Sequence, residues 1–518
     1  MALASAAVIE PQPLAPKAAA GYLRRCLPQD PGRDWEQVLK RLESRTRRAG
    51  KTPLAETVKT PLGLWLLRIT YIGSVTDSTL LLNPKEFPTT AALRAHLFDR
   101  LIPTLITRRP PSNDPAELFR PRRTHDPDKV RDWLGYLAHH LNQIPTESGQ
   151  TGTRDFAWWR LAATTHAITR TTQLTLALLT TLTVGLAIGL VAGLAVGFVA
   201  GPATGLSVGL VNGLSGGSAV GLTVGLGAMS WARHSRGHAD LRIRQRSAEL
   251  VRKLAFGLVL GLAFGLVLGL ALVLASGRAG GLMTQLMYGV GGGLVGGLMG
   301  KLVLGLMTNY GHTFRLTVGS VGGLVLVVGL VTQLMGGPVT RLIYGLALGL
   351  VIGLAVGFVA WVETPAQVHH ATTPMGSWYT DRTLNLVRIS TNALAAGLAG
   401  GLVNGLVVGL GGAPAAGLAG GLVNGLVAGV AGALIYGLAY GLAVGLGFGK
   451  HRAWLAYLVA TWRLARADLL PRRLMLFLDD CHRLGLLRAV GPIYQFRHAE
   501  LQDHLAATYR SHEQAGKR

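Results

Sequence analysis

A Gly-Lys-Thr run near the N-terminus holds the first residues of the chain whose types could do chemistry. Gly50, Lys51 and Thr52 match the end of a phosphate-binding loop, in which the lysine reaches phosphates and the hydroxyl binds magnesium. The full motif needs another glycine where this chain has Arg45, and it needs a buried strand in front of it. The residues before Gly50 predict a charged helix instead. We therefore expect no phosphate loop and no independent ATPase activity.

Cysteine and histidine residues, which could hold a metal or act as nucleophiles, are few and widely spaced. Cys26 and Cys481 fall in the two polar end zones, where no disulfide is expected. The pairs His139–His140 and His369–His370 do not have the spacing of metal ligands, and we interpret them as surface residues. The sequence predicts no metal site and no catalytic residue.

Three asparagines stand out because they lie within otherwise apolar segments. Asn212, Asn404 and Asn424 share the context GLVNGL. We expect their side-chain amides to hydrogen-bond between helices, and ligand binding is the alternative. The apolar segments contain no Asp or Glu, the residues that usually form ion or proton sites in transporters.

The elements that must position these residues are apolar stretches long enough to cross a bilayer, for which about 20 residues suffice. They predict about eight transmembrane helices in a polytopic, glycine-rich α-helical bundle. The predicted spans are 172–200, 203–229, 254–276, 280–307, 316–335, 338–361, 388–411 and 415–448.

Glycines recur at every fourth residue along many of these spans, which places them on one helix face. We call such a row a glycine seam, because it lets a neighbouring helix approach closely. Gly193 and Gly197 belong to the first row, and Gly405 and Gly425 occupy equivalent places in two copies of GLAGGLVNGLV. We expect these four glycines to pack helix against helix.

The links between spans predict the orientation of the bundle. Four links are short and nearly uncharged, whereas 230–253 is rich in arginine. By the positive-inside rule the basic links face the cytoplasm, so four hairpins across the cell membrane place both termini in the cytoplasm. The net charge of the whole chain is +24. We expect 230–253 to contact anionic lipid headgroups.

The polar end zones predict mainly helical structure. Amphipathic patterns cover 34–49, 54–72, 90–107 and 127–142. Near the C-terminus a helix over 472–489 is followed by two short segments about Gly491-Pro492 and by a final helix, the order of a winged-helix module. Membrane tethering and nearby acidic residues favour a regulatory or protein-binding role for this module over contact with nucleic acid.

The fold prediction is thus mainly α, with three parts. A cytoplasmic helical region covers 1–170, a transmembrane domain of four hairpins covers 171–450, and a winged-helix-like cytoplasmic domain covers 451–518.

Two segments of the end zones resemble a known protein family. KTPLGLWLLRITY at 59–71 resembles the helical region that follows the nucleotide-binding core of NACHT-type STAND NTPases, and IYQFRHAELQDHLAATY at 493–509 resembles their winged-helix end. The opening residues 5–25 resemble the stretch just after that core. The chain is therefore similar to the C-terminal portion of an actinobacterial, membrane-anchored NACHT protein. This portion lacks the phosphate-loop core.

The resemblance implies two nucleotide-sensing positions. Pro61 matches the proline that packs near the adenine, and His498 matches a histidine that senses the bound diphosphate. The resemblance implies that ATP or ADP binds only where an NTPase core, in the same or another chain, completes the site. The family also implies assembly into homo-oligomers during signalling.

Two functional classes and a third reading follow from the sequence. The first is a membrane-anchored regulatory or signalling component of a NACHT-like protein. The second is a channel or transporter formed by the glycine-rich bundle. The third is a decayed fragment without activity.

Overall fold

The computed structural model describes residues 12–29, 32–44, 52–72, 77–145, 152–231, 247–276, 373–447 and 452–516, with single helical positions between 342 and 361. The described chain is mainly helical. It divides into two compact units. We call Met1–Phe156 with Leu464–Arg518 the terminal unit, and Ala157–Arg463 the hairpin unit.

The helices and strands follow one another along the chain with these bounds. The helices are α1 Pro16–Cys26, α2 Gly32–Glu43, α3 Pro53–Val58, α4 Pro61–Tyr71, α5 Thr90–Arg108, α6 Pro127–Gln143, α7 Leu161–Thr164, α8 Arg170–Ala200, α9 Pro202–Trp231, α10 Ser247–Ser276, α11 Pro374–Gly447, α12 Ala453–Arg466, α13 Leu474–Leu484 and α14 Ala499–Gly516. The strands are β1 Asp155–Phe156, β2 Leu487–Val490 and β3 Ile493–Phe496.

Three helices of the terminal unit begin in the same way, with a capping side chain followed by proline. The Thr60 hydroxyl accepts a hydrogen bond from the Gly63 N–H at 3.1 Å, and Pro61 follows it. Thr52 and Asp126 cap α3 and α6 in the same manner. Proline suits this first position because its missing N–H would have no partner inside the helix. These caps set where α3, α4 and α6 start.

The core of the terminal unit is built from both ends of the chain. Helix α14 lies along α6, and a Cβ on Gly135 would stand 3.3 Å from the Cβ of Tyr509. Buried leucines of α5 and α6 fill the interior, among them Leu97, Leu101 and Leu134. The N-terminal helices therefore depend on the C-terminal residues for part of their packing.

A small antiparallel sheet joins the same two ends. The strand order is β1-β3-β2, with Phe156 opposite Tyr494 and Leu487 opposite Phe496. Gly491 has φ +55° and occupies the first position of the two-residue turn between β2 and β3. Glycine is favoured there because a hairpin turn of this kind needs positive φ.

The hairpin unit consists of long apolar helices that fold back on themselves. Helix α8 is followed by α9 after Gly201 (φ +90°), and α11 reverses at Gly417 (φ +73°). The glycine face of α10 lies against Gly345, Gly349 and Gly353. The third predicted span therefore packs against the sixth, and residues 277–341 between them lie outside the described part.

Three helices in the described part are long and apolar enough to span a membrane: Arg170–Ala200, Pro202–Ala228 and Gly417–Ala443. Among the described residues there are thus three candidate spans, not the eight that the sequence predicted. The predicted spans 280–307 and 316–335 lie outside the described residues. The predicted span 388–411 is part of the longer helix α11, whose first turns hold buried polar residues including Asp381 and Arg388.

Candidate functional site

Pro61 occupies the first position of α4, and its exposed ring helps to start that helix. One turn later, the Trp65 ring lies with its centroid 5.5 Å from that of the His498 ring, at an interplanar angle of 42°. Both residues belong to the terminal unit. The structure thus places His498 against Trp65, one helical turn after Pro61 on α4.

His498 stands immediately before α14, where its carbonyl accepts a hydrogen bond from the Gln502 N–H. The side chain is half-buried. Burial lowers the pKa of His498 below its usual 6.5, and the neighbouring charges of Arg497 and Arg488 lower it further, against the opposing effect of Glu500. The imidazole is therefore mainly neutral at pH 7, so one ring nitrogen can accept a hydrogen bond.

Two guanidinium groups, one of them on Arg497 next to His498 in the chain, lie close to Gly485. Gly485 ends α13 in the left-handed region, and its missing Cβ would stand 3.3 Å from Arg497 Nη1 and 4.0 Å from Arg109 Nη1. Arg109 also donates to the Leu484 carbonyl at 3.1 Å. Burial, followed by the charge of Arg497, lowers the pKa of Arg109.

Within the described residues, neither Arg109 nor Arg497 forms an ion pair. Like charges held together without an acidic partner favour an anionic ligand, because guanidinium groups bind phosphate or carboxylate through several parallel hydrogen bonds. Trp65 adds an aromatic face beside His498. The chemistry of the set suits an aromatic compound that carries phosphate. We call Trp65, Arg109, Arg497 and His498 the His498 cluster.

A second polar network in the terminal unit has a structural explanation. The buried carboxylate of Asp480 accepts hydrogen bonds from the Arg122 N–H at 2.8 Å and lies 2.9 Å from His125 Nε2. Arg123 lies 3.6 Å away. These contacts hold the segment before α6 against α13. Burial and Asp480 raise the pKa of the adjacent Cys481 thiol, so this cysteine is poorly suited to act as a nucleophile.

The predicted packing glycines lie at helix contacts in the hairpin unit. A Cβ on Gly193 would meet the Gly205 carbonyl at 3.2 Å, while one on Gly197 would meet only ordinary contacts at 3.7 Å. A Cβ on Gly405 would stand 3.2 Å from the Gly425 carbonyl, and one on Gly425 would stand 2.7 Å from the Gly405 carbonyl. The two members of a facing pair therefore differ in how much space they leave.

The three predicted asparagines behave differently from one another. The Asn212 amide donates to the Val208 carbonyl of its own helix at 2.9 Å, not across the seam as expected. Asn404 also donates to its own helix, at Gly400, and additionally hydrogen-bonds the Tyr436 hydroxyl on the returning arm of α11. Asn424 is half-buried. In a helix, an amide can reach the carbonyl four residues earlier, which competes with bonds to neighbours.

Sequence reasoning missed a buried polar cluster in the hairpin unit. Asp381, fully buried, accepts a hydrogen bond from the Trp454 N–H at 2.8 Å. Arg388 donates to the Gly445 carbonyl through two nitrogen atoms, at 3.1 and 2.9 Å, and to Asn385 Oδ1 at 2.8 Å. We call Asp381, Asn385 and Arg388 the α11 polar cluster. Their spacing of three and four residues on one helix face was the available signal.

Some residues singled out in the sequence lie outside the described part of the structure, and one of them has a structural role. Gly50 and Lys51 are not described, whereas Thr52 caps α3 by accepting from the Ala55 N–H, which is a structural use of its hydroxyl. Most of the basic segment 230–253 and the pair His369–His370 are likewise outside the described part.

Comparison of the chain with models of protein families, with curated proteins and with solved structures finds no match. The candidate site therefore rests on the geometry of the His498 cluster. The membrane assignment rests on the three apolar helices of the hairpin unit.

Proposed function

We propose that this chain is a membrane-anchored regulatory or signalling component of a NACHT (STAND) NTPase-like protein, without ATPase activity of its own. One observation carries the proposal. The segments 59–71 and 493–509, which resemble separate parts of that family, meet in one compact unit through Trp65 and His498.

The His498 cluster gives this proposal a mechanism. A nucleotide held by an NTPase core, in the same or another chain, presents its phosphates to His498 and the guanidinium groups of Arg109 and Arg497. Loss or gain of a phosphate changes the negative charge that these cations meet, and so favours one arrangement of the terminal unit over another. Helix α13, strands β2 and β3, and helix α14 act here as a winged-helix-like regulatory module.

The hairpin unit serves as the membrane anchor in this proposal. Its three apolar helices have the length and composition of membrane spans. We further propose that both termini face the cytoplasm, and that the basic segment 230–253 contacts anionic lipid headgroups. Association of several copies through the glycine-rich helices would accompany signalling, as the family resemblance implies.

The test is binding of ATP and ADP by the detergent-solubilised chain, alone and with a NACHT-type core supplied. We expect binding only when the core is present, and about tenfold weaker binding for His498→Ala. His504→Ala is the matched control, since His504 lies in α14, the helix that directly follows His498, but pairs with Asp99. Equal affinities for the two variants would contradict the sensing role, and binding by the chain alone would contradict the need for a core.

A second candidate function is a channel or transporter formed by the hairpin unit. The α11 polar cluster favours it, because buried ionisable groups among apolar helices often line ion pathways. Ion flux through vesicles containing the purified chain, abolished by Asp381→Asn, would support this candidate. Absence of ion flux, or flux that the substitution does not change, would contradict the channel or transporter candidate.

A further inference from the structure

The hairpin formed by α8 and α9 carries all of its charge at one end. From Thr171 to Trp231 the sequence contains no Asp, Glu, Lys or Arg. Arg170 stands directly before this stretch, and Arg233 follows it after Ala232. The hairpin tip at Gly201 can therefore cross a bilayer without moving a charged side chain through it.

The sides of this hairpin are suited to lipid. Leucines recur at every fourth position of α8 outside the glycine seam, with exposed fractions between 56% and 72%. They are Leu174, Leu178, Leu182, Leu186, Leu190 and Leu194. Helix α8 has 31 residues and so extends about 46 Å, longer than the roughly 30 Å hydrocarbon core of a bilayer.

Two backbone hydrogen bonds and a proline reduce the unpaired backbone polarity of the tip. The Gly201 N–H donates to the Gly197 carbonyl at 3.1 Å, and the Gly205 N–H donates to the Gly201 carbonyl at 3.0 Å. Pro202 has no N–H, and no atom lies within 4 Å of the place where a Gly201 Cβ would stand. Entry of an apolar phase is costly mainly through unpaired N–H and C=O groups, and the two hydrogen bonds and the proline lower their number at this turn.

The opposite end of the hairpin is polar and aromatic. Trp231 donates its indole N–H to the Leu446 carbonyl, and Arg452 donates to the Ser230 hydroxyl at 2.9 Å. Trp158 and Trp159 precede α8 on the same end of the hairpin sequence. Tryptophan is enriched at membrane interfaces, so this end fits the headgroup region of one leaflet.

We propose that the α8–α9 hairpin enters a preformed lipid bilayer tip first, from the side on which its charged and aromatic end remains. The partner is the lipid bilayer itself. The proposal rests on the membrane placement made under Proposed function, but it adds a direction and a route of entry. The glycine seam keeps the two helices paired during entry, so that the hairpin moves as one body.

The full chain, made without membranes and then offered phosphatidylcholine–phosphatidylglycerol vesicles, provides the test. In a Cys26→Ser background, Ala203→Cys places a thiol at the tip, while Cys481 is buried. We expect this thiol to become protected from an impermeant maleimide added outside, and to react with the same reagent enclosed in the vesicles. Flotation of the vesicles measures binding separately.

Two threonine-to-lysine substitutions form a matched pair, one at the tip as the test and one at the opposite end as its control. Thr204→Lys adds a charge at the tip and Thr171→Lys adds one at the opposite end, and both side chains are exposed. We expect Thr204→Lys to reduce protection of the tip about tenfold and Thr171→Lys to change it less than twofold. A chain that floats with the vesicles but keeps an accessible tip overturns the proposal alone. A chain that does not float overturns the membrane placement as well, and equal effects of the two lysines exclude tip-first entry.

Discussion

Single glycines differ sharply in the space they leave, although the sequence repeats them evenly. At Gly205 a Cβ would stand 2.5 Å from the Gly193 carbonyl, whereas at Gly197 the nearest foreign atom is 3.7 Å away. We expect Gly205→Ala to destabilise the hairpin by roughly 1–3 kcal/mol through overpacking. Gly197→Ala should have an effect of less than about 1 kcal/mol, because alanine fits and favours helix. Thermal unfolding in detergent measures both.

The comparison of these two alanines is the control for this prediction. Both residues lie in the same hairpin and receive the same added methyl group. Equal shifts of the unfolding temperature would show that the helices adjust freely at both positions, which contradicts a fixed seam.

His498 makes a pH-dependent contribution to the terminal unit. Because burial and Arg497 lower its pKa in the folded chain, the unfolded chain binds a proton first as the pH falls below 6.5. The folded state is thus fully favoured above pH 6.5 and loses stability as the pH falls through the folded pKa. A histidine titration by NMR, with His498→Gln to assign the signal, should place this pKa below 6.5.

The same variant gives a second readout. His498→Gln should flatten part of the decline in stability between pH 7 and pH 5, although burial also lowers the pKa of His96 and His482. An unchanged slope, or a titration above the usual value, would contradict the burial of a neutral imidazole beside Trp65.

At the scale of elements, the α11 polar cluster joins two helix ends. Asp381 accepts from the Trp454 N–H in the first turn of α12, and Arg388 donates to the Gly445 carbonyl in the last turn of α11. These groups have no partner within their own helices, so the cluster supplies one to each end. The negative charge of Asp381 lies at the positive N-terminal end of the α12 dipole, and the positive charge of Arg388 lies at the negative C-terminal end of the α11 dipole. Both arrangements are favourable.

Removing the buried carboxylate should therefore separate the start of α12 from α11. We expect Asp381→Ala to cost roughly 1–3 kcal/mol, because it leaves the part-buried Trp454 N–H without its acceptor and removes the carboxylate beside the Asn385 amide. Arg382→Ala is the matched control: this neighbour is exposed and lies over the Trp378 ring, a contact worth about 1 kcal/mol or less. Denaturation in detergent that shows equal losses for both would contradict the role of the cluster.

The elements also show how far sequence patterns reach. Amphipathic periodicity predicted helices over the regions of α2, α5 and α6, and the Gly-Pro turn predicted the β2–β3 hairpin, because these signals are local. Strand β1 has only two residues, and no local pattern distinguishes it from a loop. Glycine spacing predicted close helix contacts but not the partner of α10, since every glycine seam is chemically alike.

The candidate site was predictable only in part, because the sequence shows local patterns but not which distant residues meet. Resemblance of two segments pointed to Pro61 and His498, but neither pattern contained the contact that joins them. Trp65, Arg109 and Gly485 come from three separate elements of the terminal unit, so their meeting depends on tertiary structure. Asp381 was missed because its segment was assigned to a link between spans.

At the scale of the whole molecule, the terminal unit is assembled from the two ends of the chain. Arg154 pairs with Asp503 through two hydrogen bonds, and Gln502 donates to Asn142 at 2.7 Å. We expect residues 1–156 and 464–518, produced as two polypeptides, to purify as a complex. In the test, one fragment is captured on an affinity resin and the amount of the other fragment bound to it is measured.

Substitutions within α14 distinguish the buried contacts of this complex from the exposed ones. Gln502→Ala should weaken the complex roughly tenfold, because the Gln502 side chain is fully buried, while Asp503→Ala should change it less than about threefold because Asp503 is exposed. Two fragments that do not bind each other, or equal effects of the two substitutions on binding, would contradict a shared core.

The pairing of β1 with β3 also has a consequence for the time course of biosynthesis. The ribosome must translate all of Ala157–Arg463 after β1 before the partner strand exists, which takes roughly 15–60 s at ordinary elongation rates. During that interval the buried leucines of α5 and α6 lack the helix α14 that covers them in the finished chain. We therefore expect the N-terminal region to complete its folding only at the end of translation.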